Sequence, residues 1–192
     1  MKKSLIALLA FASIAASATT LTAEYNYNET AGSSAGASQY GYLGIAQETK
    51  YGTVDFGFQG ANSTASRFGA LDQTGYEIGY SYPVQVGKFN VVPRAATGVL
   101  HTIDPSAAGF SSSQKYFLVS VEGQYKLSEN VGAYSSYAHS NSVGGTKFHG
   151  NRAQVGIDYS VTKALNLRAG YSFQKLDADN LNGLVAIASY SF

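Results

Sequence analysis

The chain has 192 residues, with 13 Lys and Arg against 12 Asp and Glu, no Cys, no Trp, 15 Tyr and 10 Phe. Setting aside Lys2 and Lys3 leaves 11 basic residues, so the rest is close to neutral, which argues against a nucleic-acid or polybasic lipid-surface role. The lack of Cys excludes a disulfide framework and thiol chemistry, and a mean hydropathy near zero excludes a bundle of membrane-spanning helices.

Met1-Lys2-Lys3-Ser4 reads as a basic n-region and Leu5 to Ile14 as an apolar h-region, with Ala16-Ser17-Ala18 as a small-x-small cleavage site. The apolar run is too short to span a bilayer. Residues 1–18 are therefore expected to be a signal peptide cut after Ala18, and 19–192 a single exported domain. A second site at Leu21-Thr22-Ala23 would cut into the first strand.

From there the pattern has period two. Leu21, Ala23, Tyr25 and Tyr27 alternate with Thr22, Glu24, Asn26 and Asn28. Val54, Phe56 and Phe58 alternate with Asp55, Gly57 and Gln59, and Tyr76, Ile78, Tyr80 and Tyr82 with Glu77, Gly79 and Ser81. Ala153, Val155, Ile157 and Tyr159 oppose Arg152, Gln154, Gly156 and Asp158. Leu165, Leu167, Ala169, Tyr171 and Phe173 oppose Asn166, Arg168, Gly170, Ser172 and Gln174. None of these apolar faces holds a charge, as a lipid-facing surface requires, since a Lys or Arg at the midplane costs roughly 2–4 kcal/mol.

Other segments alternate less cleanly. Tyr40, Tyr42, Gly44 and Ala46 oppose Leu43 and Ile45, and Leu43, Ile45 and Gly41 are expected inside. Pro93 interrupts the strand that follows the turn expected at Pro83 to Gly87 and predicts a bulge or irregularity. In Lys115 to Lys126, Phe117, Val119, Val121 and Tyr125 oppose Ser120, Glu122 and Gln124. Val131 to Ser140 has little contrast.

The reading is all-β: a transmembrane antiparallel up-and-down β-barrel, with ten strands near 20–28, 39–48, 53–61, 75–82, 88–101, 114–126, 131–140, 151–160, 165–175 and 183–192. An eight-stranded barrel is the alternative. Only barrels cross a membrane with half of their strand residues polar. An even count puts both termini on one side, with short turns there and longer connections at 29–38, 62–74, 102–113, 141–150 and 176–182 on the other.

The last segment runs Leu184, Ala186, Ala188, Tyr190 and Phe192 on one face, with Val185, Ile187, Ser189 and Ser191 on the other. Its terminal Phe192, the aromatic Tyr190 two before it and the alternating hydrophobics upstream resemble the C-terminal signature of Gram-negative outer-membrane β-barrels. The resemblance implies an outer-membrane location, contact with outer-membrane lipid and lipopolysaccharide, and recognition of Tyr190 and Phe192 by the barrel-assembly machinery.

Inside, a cluster of Glu77, Arg94 and Glu122 and a pair of Asp158 with Arg168 are expected, because paired charges lower each other's desolvation cost. They would form a lumenal constriction or hold the strands in register. Small inner residues such as Gly57, Gly79, Ala96, Gly98, Gly156 and Gly170 leave room for water. The functional expectation is a narrow, weakly selective passive channel for ions or small solutes; the alternative is a non-conducting structural or adhesin-like barrel.

No catalytic set, cofactor or metal site is expected. His101, His139 and His149 map to the outer rim without ligand spacing. His139-Ser140-Asn141 is similar to the His-x-Ser-Asn stretch of barrel lipid A deacylases, but adjacent strand residues point to opposite faces. The Asp-x-His of the omptin proteases does not occur. The outer segments are Gly-, Ser- and Ala-rich, with Arg67-Phe68 and Lys147-Phe148-His149 as possible contact points.

Overall fold

A computed structural model describes residues 19–30, 37–66, 69–104, 110–144, 149–176 and 179–192. They form antiparallel strands β1 (Thr19–Thr30), β2 (Ala37–Thr49), β3 (Gly52–Ser66), β4 (Gly69–Ser81), β5 (Val84–Val86), β6 (Phe89–Asp104), β7 (Phe110–Lys126), β8 (Val131–Val143), β9 (His149–Ser160), β10 (Leu165–Leu176) and β11 (Asp179–Ser191). Each strand pairs with its chain neighbour, β1 pairs with β11, and β4 pairs with β6. The sheet is a closed up-and-down barrel of ten strands, with β4 and β5 forming one wall.

That wall keeps a single register against β6, since Ser81 lies opposite Arg94 and Val84 opposite Val91. The break between its halves is at Tyr82-Pro83. The Tyr82 N–H donates to the Pro93 carbonyl at 3.2 Å. Pro93 has no N–H to return the second bond of that pair. The irregularity expected at Pro93 is thus a missing ladder bond rather than a bulge. The register against β7 runs through it unchanged, with Pro93 opposite Val121.

The turn expected at Pro83 to Gly87 is shorter in the structure. Val86 pairs with Phe89 and only Gly87-Lys88 turns the chain. Gly87 has φ +62°, a left-handed conformation that a side chain with a Cβ resists. Several strands also outrun their apolar pattern: β3 pairs with β4 as far as Ser66 opposite Gly69, with a register shift after Ser63. Ladder bonds belong to the backbone, so Ser, Thr and Asn extend a strand where no apolar face demands it.

The faces follow the period-two reading. Large apolar side chains point outward and stay exposed, among them Leu184 at 67 % and Val119 at 47 %. Exposure of this extent is expected of a surface that meets lipid. Strand β2 corrects the expectation. Leu43 is exposed and faces out, paired with Ala23 and Phe58, and Gly41 lies opposite the outward Tyr25. Tyr40 and Tyr42 face the lumen instead. Paired polar neighbours decide the facing: Tyr42 stands opposite the inward Glu24 and Gln59.

The last strand closes the barrel through Thr20 opposite Ser191 and Thr30 opposite Leu181, and the Phe192 N–H donates to the Thr19 carbonyl at 3.0 Å. Phe192 is 70 % exposed and packs edge-on against Tyr190, with centroids 5.0 Å apart. Val185, at 3 % exposure, faces inward as expected. The signal-peptide and cleavage expectations fall on residues 1–18, outside the described residues.

Two substitutions test this frame. Val119→Arg, on the outward face near the middle of β7, should cost about 2–4 kcal/mol in urea unfolding from lipid vesicles. Gly87→Val should cost about 1–2 kcal/mol in the same measurement, through the left-handed backbone of the turn.

Candidate functional site in the barrel lumen

On the inner wall several large side chains occupy the notches that inward glycines leave. The Tyr42 ring fills the space where Gly44 and Gly57 would carry a Cβ. A Cβ on Gly98 would lie 2.8 Å from Cζ of Tyr116, and one on Gly170 would lie 2.7 Å from the Tyr134 hydroxyl. Real Cβ atoms do not approach other atoms so closely. The small inner residues therefore do not simply leave room for water, as expected from sequence. They seat tyrosines.

Gly79 does the same for a salt bridge. A Cβ there would lie 2.6 Å from Nη2 of Arg94 and 2.7 Å from Oδ2 of Asp55. Arg94 on β6 and Asp55 on β3 meet across the intervening β4 because Gly79 has no side chain. Arg94 grips the Asp55 carboxylate with two bonds, Nε donating to Oδ2 at 3.0 Å and Nη2 to Oδ1. Nη2 also donates to Oε1 of Glu77 at 2.7 Å. Bidentate, charge-assisted geometry of this kind is the form in which a buried ion pair recovers most of its desolvation cost.

From Glu77 the bonds continue across the lumen. The Tyr116 hydroxyl donates to Oε2 of Glu77 at 2.7 Å, and Nε2 of Gln59 donates to the Tyr116 oxygen at 2.9 Å. The Tyr40 hydroxyl then donates to Oε1 of Gln59 at 3.1 Å. The Arg152 guanidinium lies 5.4 Å from the Tyr40 ring centroid and 3.4 Å from Oε1 of Glu24. That carboxylate also accepts from Asn26 at 2.6 Å and Gln154 at 3.1 Å. One continuous polar chain thus runs from Asp55 to Glu24.

A second group lies nearer the short-turn end. Arg168 donates to Oε1 of Glu122 at 2.8 Å and lies 5.0 Å from the Tyr134 ring centroid. Gln124 donates to the same carboxylate at 2.6 Å and accepts from Asn90 at 3.1 Å.

Arg94 and Glu77 meet as anticipated from sequence, but Glu122 does not join them. In the ladders Arg94 stands opposite Ser81 and Ser120, while Glu122 stands opposite Val92, two residues nearer the turn. Nor do Asp158 and Arg168 pair: they are opposed in the β9–β10 ladder, yet Arg168 turns to Glu122 and Asp158 lies against Gly132. Asp55, Gln59, Tyr40, Tyr116, Glu24 and Arg152 complete the network without having been anticipated there. All but Tyr40 and Tyr116 were legible as inward residues, but most of the partners stand two or three strands away, beyond reasoning from adjacent strands.

On the β8–β1 side the lumen is less satisfied. The side-chain oxygens of Asn26, Asn28, Tyr134 and Ser172 are buried without a hydrogen-bond partner, and these residues face inward. The rim histidines take no part in the lumen. His139 Nδ1 lies 2.8 Å from Oδ1 of Asn151 on the outer face, while the Ser140 hydroxyl donates to the Gly150 carbonyl at 3.4 Å. His101 Nδ1 lies 2.7 Å from the Ser113 oxygen.

Arg94→Ala would strand two buried carboxylates and should destabilise the barrel by about 3–5 kcal/mol, measured by urea unfolding. Adding Asp55→Asn and Glu77→Gln to Arg94→Ala should restore most of that loss. A strictly additive triple variant would contradict the network.

No family model matches the chain, and no curated protein matches it in sequence. Several solved structures share its fold. An outer membrane channel from Pseudomonas putida F1 aligns with TM-score 0.59 at 12 % identity over 93 % of this chain and 97 % of that one. The β domain of the Bordetella autotransporter BrkA gives 0.52 at 13 % identity over 93 % and 100 %. The translocator domain of the autotransporter NalP from Neisseria meningitidis gives 0.51 at 10 % identity over 98 % and 94 %. The likeness is one of fold: the chain has the closed antiparallel architecture of the outer-membrane β-barrels.

Proposed function

We propose that this protein resides in the outer membrane and acts as a narrow, weakly selective passive channel for ions and small solutes, with its resistance set by the polar chain from Asp55 to Glu24. The observation that carries the reading is that the lumenal ion pairs keep some solvent-accessible surface. Their side chains are between 7 % and 28 % exposed. A path lined by Arg94, Arg152 and Arg168 alongside Glu24, Asp55, Glu77, Glu122 and Asp158 attracts ions of either sign, with a small excess of carboxylate favouring cations. Export by the N-terminal leader and recognition of Tyr190 and Phe192 by the assembly machinery belong to the same reading. So does contact of the outward face with outer-membrane lipid and lipopolysaccharide.

A second reading, a non-conducting structural barrel, is favoured by Tyr42, Tyr116 and Tyr134 seated over glycines, which narrow the path. Planar-bilayer recordings of the refolded protein separate the two. The channel reading expects small single-channel currents, a reversal potential in a salt gradient displaced toward the cation, and a larger current in Arg94→Ala. A wild-type barrel that inserts yet carries no current would leave only the structural reading.

A further inference from the structure

Arg168 has two carboxylates within its compass, and the one it takes covers a tyrosine. From β10 its guanidinium reaches Glu122 on β7, three strands away, with Nη1 donating to Oε1 at 2.8 Å. On the way it passes the Tyr134 ring of β8, 5.0 Å from the ring centroid. Asp158 on β9 is nearer in the sheet. It is the direct ladder partner of Arg168, so the two Cβ atoms stand about 5 Å apart. Yet Asp158 has no hydrogen bond or ion pair among the described residues. It lies in the notch at Gly132, where a Cβ would stand 2.6 Å from its Oδ1.

Tyr134 is the group beneath. Its ring lies along the wall, since a Cβ on Gly156 would be 2.8 Å from Cε1 and one on Gly170 would be 2.7 Å from the hydroxyl. The residue is buried and its hydroxyl has no hydrogen-bond partner. The inward Tyr40 and Tyr116 differ, because their hydroxyls donate to Gln59 at 3.1 Å and to Glu77 at 2.7 Å. Tyr134 is thus seated by shape and by the cation above it, while its hydroxyl bears an unmet desolvation penalty. Solvent is close by: the side chains of Arg168 and Glu122 are 19 % and 27 % exposed. A turn of the ring away from the wall would hydrate the hydroxyl, and Arg168 stands in its way.

We propose that Arg168 is a latch with two stations and that Tyr134 is the gate it holds. With Arg168 on Glu122 the ring is pinned to the wall, as in this structure. With Arg168 withdrawn to Asp158 the ring is uncovered, swings into the lumen and narrows the path. Both states keep one ion pair at Arg168 and every backbone bond. They differ by local terms alone: one carboxylate exchanged for another, the contact of guanidinium with ring lost, and the tyrosine hydroxyl hydrated. Such a balance of small terms is what lets two conformations coexist.

The gating of current rests on the channel reading, so the test takes two readouts. Glu122→Gln removes the station that pins the ring, and Asp158→Asn the station that releases it. Each variant leaves Arg168 one carboxylate, so both should fold. Each also removes one lumenal negative charge, so an effect of charge alone moves both the same way. In planar bilayers the occupancy of a lower current level should rise about five-fold in Glu122→Gln and fall about five-fold in Asp158→Asn, the weight of one partly exposed ion pair. Tyr134→Phe, lacking the hydroxyl that seeks water, should also lower it. Hydroxyl-radical footprinting of the vesicle-inserted barrel, read at Tyr134 by mass spectrometry, needs no current. Oxidation of Tyr134 should rise in Glu122→Gln and fall in Asp158→Asn. Footprints that shift together, or not at all, would overturn the latch whether or not the barrel conducts. The expected footprints in a barrel without current would overturn the channel reading and leave the latch standing.

Discussion

The fold depends on one constraint: in hydrocarbon no backbone N–H or C=O can be left without a partner. The pairing of β1 with β11 meets it by removing the free edges of the sheet. The period-two facing of the side chains then follows without further specification, because closure fixes which residues look inward on every strand once one strand is placed. Leu43 and Tyr42 show the force of this. Their own strand leaves the choice open, and the register against β1 and β3 settles it.

Closure also decides what the interior must accomplish. A ring of ten strands is wider than the eight-stranded barrels whose interiors side chains just fill, so its inward side chains must reach far to meet. The sequence fills it with long polar side chains that reach past their neighbours: Arg94 to Asp55 over Gly79, Arg168 to Glu122, Arg152 to Glu24. Such links tie strands that share no ladder. They resist ovalisation of the barrel, which backbone bonds between adjacent strands resist only weakly.

Most of the architecture was legible before the structure, because lipid enforces a strict outward face and Tyr25, Phe56, Ile78, Val155 and Leu167 advertise it. The lumen was less legible for two physical reasons. Pro83 looks like a turn residue, yet it only breaks a wall whose register against β6 continues to the turn at Gly87-Lys88. Glu122 is taken by Arg168, three strands away, and not by Arg94. Glycine, in turn, reads as empty space in one dimension, while in three dimensions Tyr42, Tyr116 and Tyr134 stand in that space. A side chain's own strand reveals its direction but not the partner two or three strands away.

The seating of Tyr42 across Gly44 and Gly57 bears on how this chain can vary. The three positions share one volume, though they lie on two strands and fifteen residues apart at their extremes. A methyl group added at Gly57 displaces the ring at Tyr42, and a smaller residue at Tyr42 opens a hole that only growth at Gly44 or Gly57 can close. A change of size at one of these sites calls for a compensating change at another. The bore can therefore be redrawn by exchanging bulk between facing strands while every backbone bond, and the whole lipid-facing surface, stays as it is.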